Sequence, residues 1–181
     1  MATATRFTTR YDTAEDRVQV LLELPDNNVQ VLWLTRRLLN RMLPHLLDRL
    51  QGTGPAASAT SAPAQSSAPS SEAVQRFSQE AAVSAIVRQP AVAPSGKTPA
   101  ERVSYVVTSV DIRTGPKSLV LDFKGGEQVL HSLPFGEDAL RQWLSIIYAQ
   151  YRTGEWRETF WPGWIQTPDA APAPKEDMRL N

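Results

Sequence analysis

The sequence predicts an α+β protein built from two βββα halves that a long linker joins. Two blocks of alternating apolar residues are each followed by apolar residues at helical spacing. Between the blocks lies a segment rich in proline, alanine and serine that has almost no large apolar side chain. We therefore expect a first half over residues 1–51, a flexible linker over 52–100, a second half with an aromatic tail over 101–166, and a disordered tail over 167–181.

The first half contains three alternating stretches, which predict three strands. They cover Arg6 to Tyr11, Val18 to Leu24 and Val29 to Trp33, and the turn sequence PDNN separates the last two. Thr35 can then cap a helix in which Pro44 is expected to introduce a kink. The apolar side chains of this helix form an unbroken stripe made of Leu38, Leu39, Met42, Leu43, Leu46, Leu47 and Leu50.

The linker begins as GTGPAASATSAPAQSSAPSS (Gly52 to Ser71), a composition that cannot bury enough apolar surface to become ordered. The next residues, 71–89, favour a short helix that begins at a serine able to cap it. Its apolar stripe is weak and consists of Val74, Phe77, Ala81 and Ala85. Prolines and a glycine then end the helix, so the linker is predicted to be flexible on both sides of it.

The second half has the same order of elements. Val103 to Arg113 is one long β-branched run, and alternating residues at Leu119 to Phe123 and Val129 to Leu133 predict two more strands. The sequences TGP and KGGE supply the turns between them. A helix is expected from about Glu137, with an apolar face formed by Leu140, Trp143, Leu144, Ile147, Tyr148 and Tyr151.

The order of elements suggests an internal repeat. When LLELPDNNVQVLWLT is laid over VLDFKGGEQVLHSLP, Leu22 falls on Leu121 and Leu34 on Leu133. The alternative is a chance similarity of two amphipathic patterns. Antiparallel strands closed by a helix, in two copies, resemble the general plan of the PUR-alpha and Whirly single-strand-binding proteins. The resemblance covers topology alone and transfers no functional residue.

Composition argues against several chemistries. The 19 basic and 19 acidic side chains cancel, so there is no global field that would attract nucleic acid or an anionic membrane. There is no cysteine, which excludes disulfides, thiolate nucleophiles and cysteine-ligated metals. His45 and His131 lack ligand spacing, and the acidic pairs Glu137–Asp138 and Glu155–Glu158 are typical of helix starts and surfaces. We expect no cofactor, no metal, no membrane segment and a cytoplasmic location.

The favoured function is a non-enzymatic adaptor or assembly module that binds a protein partner. Its predicted contacts are the aromatic residues near the C-terminus and one in the linker helix, namely Trp156, Phe160, Trp161, Trp164 and Phe77. Burial of the C-terminal aromatic residues as part of the core is the competing interpretation.

Two further functions stay open. One is single-stranded nucleic-acid binding by an arginine-rich helix face and the Trp/Arg tail, through Arg36, Arg37, Arg41, Arg49, Arg152 and Arg157. The other is an enzyme of unrecognised class, for which the sequence offers no catalytic motif. The chain is expected to be a monomer or a homodimer.

Overall fold

The protein has an α+β fold, and the residues that the structure describes form seven strands in two sheets and three helices. The computed structural model describes residues 6–26, 28–52, 71–86, 103–116 and 118–166. The parts of the linker predicted to be flexible and the C-terminal tail at 167–181 lie outside these residues. The elements are β1 (Arg6–Asp12), β2 (Arg17–Glu23), β3 (Val29–Leu34), α1 (Arg36–Gly52), α2 (Ser71–Ser84), β4 (Val103–Val106), β5 (Ser109–Thr114), β6 (Ser118–Gly125), β7 (Gln128–Gly136) and α3 (Glu137–Thr153).

The first sheet has the order β1-β2-β3-β4, and the second has the order β5-β6-β7. All neighbouring strands are antiparallel except β3 and β4, which are parallel. The prediction of one long strand over Val103 to Arg113 is wrong, because the backbone changes sheets in the middle of this run. The amide of Val107 donates to the carbonyl of Trp33 at 3.0 Å, whereas the amide of Thr108 donates to the carbonyl of Lys124 at 2.8 Å.

Both long helices begin where the sequence predicts them. The Thr35 hydroxyl accepts a hydrogen bond from the amide of Leu38 at 3.2 Å, so it caps α1 as expected. The helix continues through Pro44 to Gly52. α3 carries two acidic residues in its first turn, where their negative charges interact favourably with the positive end of the helix dipole. After α3, the amide of Gly154 donates to the carbonyl of Gln150 at 2.9 Å.

The two halves share one hydrophobic core. Its buried residues come from strands of both sheets, from α1 and α3, and from the segment after α3. α3 also packs against β1, which belongs to the other half of the chain. The Trp143 indole donates to the Thr9 hydroxyl at 3.1 Å, and the Gln150 side-chain oxygen accepts from the amide of Tyr11 at 2.8 Å. The two halves are therefore packed together over one core.

The strand register does not follow the sequence overlay of the two halves. Leu22 pairs with Gln30, whereas Leu121, which the overlay places on Leu22, pairs with Leu133. The registers differ because the turn between Gly125 and Gln128 lies later in the overlay than the turn between Glu23 and Val29, and because the β6–β7 pairing also has a register shift between Phe123 and Lys124. The common order of three strands and a helix is observed, but the internal repeat stays a prediction.

Candidate partner-binding site

The aromatic segment after α3 lies in the core. Trp156, Trp161 and Trp164 are each only 5–6 % exposed, and Phe160 is half-buried. The ring of Tyr151 meets the rings of Trp156 and Trp161 edge to face, with centroids 5.1 and 5.2 Å apart. Aromatic rings at these distances and angles stabilise the fold in addition to the stabilisation that comes from burying their apolar surface. The segment is therefore packed back onto the helix that precedes it.

Two carboxylates anchor this segment to the first half of the chain. Asp16 accepts hydrogen bonds from the Tyr11 hydroxyl at 2.6 Å and the Trp156 indole at 2.9 Å. These bonds lower the pKa of Asp16 and raise the pKa of Tyr11. The second carboxylate, Glu158, accepts a hydrogen bond from Asn40 at 2.7 Å and forms an ion pair with Arg36 of α1 at 2.6 Å. Both contacts lower the pKa of Glu158.

This packing changes the interpretation of four predicted partner contacts. Trp156, Phe160, Trp161 and Trp164 cover the core, so their rings offer a partner little free surface. The physical reason is the cost of hydrating a large ring, about 1.5–3 kcal/mol for each aromatic side chain.

The linker helix α2 turns its apolar stripe outward. Phe77, the largest member of the predicted stripe, is 74 % exposed, and Ala81 and Ala85 are also exposed. The buried face consists of Gln75, Gln79 and Ala82. Helices on protein surfaces normally show the opposite arrangement, with the apolar face inward. Exposed apolar and buried polar residues are the informative exceptions to the usual distribution.

The buried face of α2 is held by side-chain amides. The Gln75 amide donates to the carbonyl of Leu50 at 3.1 Å, and the Gln79 amide donates to the carbonyl of Arg141 at 3.0 Å. Arg141 donates in turn to the Gln75 side-chain oxygen at 2.8 Å. Gln142 of α3 donates to the carbonyl of Ala82 at 2.9 Å. We call this contact between α2 and the body the glutamine seam.

A second exposed apolar stretch lies on β4, the outermost strand of the first sheet. Val103, Tyr105 and Val106 are 51, 37 and 47 % exposed, and every residue of this strand is exposed. The sequence did not reveal this exposed stretch, because its residues were assigned to the start of a longer strand. The sequence feature that could have indicated this exposed stretch is its position directly after the linker.

The six predicted arginines have different environments. Arg36 pairs with Glu158 at 2.6 Å, and its guanidinium lies 5.9 Å from the centre of the Trp156 ring. Arg49 donates to the carbonyl of Gly115. The other four, Arg37, Arg41, Arg152 and Arg157, are exposed on α1, at the end of α3 and in the segment after it. Two members of the predicted anion site thus contribute to internal contacts instead.

The histidines and the acidic pair at the start of α3 were the candidates for chemistry. His131 is buried on β7, its Nε2 lies 2.8 Å from the side-chain oxygen of Gln30, and burial lowers its pKa. Glu137 and Asp138 line a cleft of about 550 Å³ together with Arg49. The carboxylate of Glu137 is paired with Arg141 at 2.9 Å. His45 is exposed on α1.

Other kinds of site are not seen in the described ranges. Among the residues described, no three histidine or carboxylate side chains are grouped so that they could hold a metal ion. None of the described helices is both long and apolar enough to cross a membrane. Comparison of the chain with models of protein families, with curated proteins and with solved structures found no match.

Proposed function

We propose that this protein is a non-enzymatic module that binds a protein partner through the outer face of α2, centred on Phe77. The observation that supports the proposal is the location of the exposed apolar residues. All five large hydrophobic residues that are exposed in the described part of the chain lie on α2 or β4. They are Phe77, Val83, Val103, Tyr105 and Val106.

The position of these residues favours a binding role over chance exposure. The core buries more than thirty hydrophobic residues in the described ranges, including the three tryptophans near the C-terminus. Phe77 is exposed to solvent, whereas the same helix buries Gln75 and Gln79. Three of the five lie together on the four residues of β4, and contiguous exposed apolar residues typically mark interaction sites. An exposed aromatic residue such as Phe77 is a common centre of binding energy.

The two elements differ in what they can offer a partner. α2 presents a phenylalanine on a helix, which fits the apolar groove of another protein. β4 is a short strand at the edge of a sheet, where a partner strand can pair with the backbone. We assign the main contact to α2, since Phe77 has the largest exposed fraction of the five. The compartment that we propose for this encounter is the cytoplasm.

A capture experiment from native cell extract tests the proposal. The full-length chain, Phe77→Ser and the matched control Glu127→Ala, which changes an exposed residue in the turn between β6 and β7, serve as baits. We expect Phe77→Ser to lose a specific captured protein at least about tenfold, while the control retains it. Both variants should keep the circular dichroism spectrum and melting temperature of the wild type, because each changes an exposed side chain.

The results also separate this proposal from its alternative. Equal capture by all three baits would contradict a contact through Phe77. Titration with a single-stranded oligonucleotide at two salt concentrations, read by tryptophan fluorescence, measures the other function. Binding that weakens with salt and with an Arg37→Ala/Arg41→Ala double variant would favour nucleic-acid binding instead.

A further inference from the structure

The glutamine seam contains very little apolar surface. Ala82 is the one hydrophobic residue of α2 that is buried, and Val74 of this helix is half-buried. Ile86, two residues after the helix ends, is also half-buried. Hydrogen bonds through Gln75, Gln79 and side chains of α3 also join the helix to the body. Such bonds add little to stability because water replaces them when they break. α2 is thus attached much more weakly than α1 and α3, whose apolar stripes form the core.

We infer that α2 separates from the body as a unit while the rest of the protein stays folded. This step goes beyond the proposed function, since it concerns the seam and requires no partner. Elements with few buried apolar contacts open with smaller free energies than the whole protein. Opening uncovers the Arg141 guanidinium, which donates to Gln75 and lies 5.6 Å from the centre of the Trp164 ring.

The charge of Arg141 does not prevent this opening. Arg141 is only 2 % exposed, and leaving a buried charge without a partner would be costly. Its partner, however, is Glu137 of the same helix, at 2.9 Å in an i,i+4 pair. That pair does not involve α2, so it is kept when α2 leaves.

The seam is also incompletely satisfied when it is closed. Arg141 Nη1 and the side-chain oxygen of Gln79 are buried and have no hydrogen-bond partner. Water can bind both atoms after α2 separates, and this gain offsets part of the contacts that are lost. The two neighbouring amide contacts, from Gln75 to Leu50 and from Gln142 to Ala82, are likewise replaced by contacts with water.

The absence of cysteine from the sequence permits a direct test. A single cysteine in Ala82→Cys is buried in the seam, and its rate of modification by a thiol reagent reports how often α2 opens. Ala81→Cys places the same change one residue earlier, on the exposed face, and gives the rate without protection. Val20→Cys places a cysteine in the core on β2, where modification requires unfolding of the whole protein.

We expect the Ala82→Cys thiol to react at least about 100-fold faster than the Val20→Cys thiol, but more slowly than Ala81→Cys. Low concentrations of urea should accelerate the Val20→Cys reaction much more than the Ala82→Cys reaction, because local opening exposes little surface. Equal rates and equal urea dependence for Ala82→Cys and Val20→Cys would overturn the inference.

Hydrogen exchange on the unmodified chain supplies a second measurement that does not depend on any variant folding. The amides of α2 should exchange together, and well before those of α1 and α3, under conditions where the core stays protected. Exchange of the α2 amides at the rate of the core amides would contradict the inference, even if the cysteine variants were destabilised.

Discussion

Trp156→Ala tests whether the aromatic segment after α3 belongs to the core. The indole is 5 % exposed, and an aromatic side chain of this kind buries about 150–250 Å² on folding. At about 25 cal/mol for each square ångström, the lost burial corresponds to roughly 4–6 kcal/mol as an upper estimate. Truncations of buried aromatic residues to alanine in other proteins cost about 3–5 kcal/mol. We expect the free energy of unfolding to fall by about 3–5 kcal/mol.

The contacts of the ring support a value inside this range. Trp156 meets Tyr11 and Tyr151 edge to face at 5.4 and 5.1 Å, and its indole donates to Asp16 at 2.9 Å. The alanine variant loses all three contacts and leaves the Asp16 carboxylate with one donor fewer. Asp16 is exposed, so water replaces that donor and limits the additional cost.

Urea unfolding followed by far-ultraviolet circular dichroism measures the change without relying on the deleted fluorophore. Arg157→Ala is the matched control, since it changes the adjacent but exposed residue and should stay within about 0.5 kcal/mol of the wild type. A loss below about 1 kcal/mol in Trp156→Ala, with an unchanged dependence on urea, would refute the assignment of this ring to the core.

Three further changes test other contacts. Burial lowers the pKa of His131, so the unfolded chain binds a proton at a pH where the folded chain does not. The free energy of unfolding should therefore fall as the pH drops through about 6.5. Urea midpoints measured from pH 7.5 to 5.5 should show this fall in the wild type, and His131→Gln should lack it. Gly154→Ala would place a Cβ atom 2.8 Å from the Tyr11 ring, so we expect the free energy of unfolding, measured by thermal unfolding, to fall by about 1–3 kcal/mol. In the control Gly52→Ala, the new Cβ atom has no atom within 4 Å, and stability should not change. Hydrogen bonds from Asn40 and Arg36 lower the pKa of Glu158 in the folded chain. Its contribution to stability is therefore present at neutral pH and begins to be lost as the pH falls below the unfolded pKa of about 4.3. Glu158→Gln should be less stable than the wild type at pH 7, and the difference should shrink as the pH is lowered below about 4.3.

The sequence predicts the α+β fold because periodicity records which side of each element faces the core. The apolar stripe of α1 is unambiguous, and a hydroxyl in front of this helix gives its start. The division of Val103 to Arg113 into two strands could not be predicted. A β-branched run has the same composition whether its backbone pairs with one sheet or passes from β3 to β6.

For a related reason, the sequence does not show which of the predicted contact residues are exposed. Large aromatic residues indicate either a core or a binding surface, and the sequence of the C-terminal segment does not state which surface it meets. The helical period of α2 was recognised, but its orientation was not. Orientation depends on acceptors that other elements supply, the carbonyls of Leu50 and Arg141, and these are distant in sequence from Gln75 and Gln79.

The orientation of α2 is difficult to explain by stability alone. A helix selected only to cover α3 would gain about 1.5–3 kcal/mol by turning a phenylalanine inward in place of a glutamine. The chain instead places Gln75 and Gln79 in the seam and leaves Phe77 in water. Proteins depart from the arrangement that maximises stability mainly at functional sites. Weak attachment and an exposed aromatic anchor have the same origin, because the apolar surface missing from the seam is the surface that α2 presents outward.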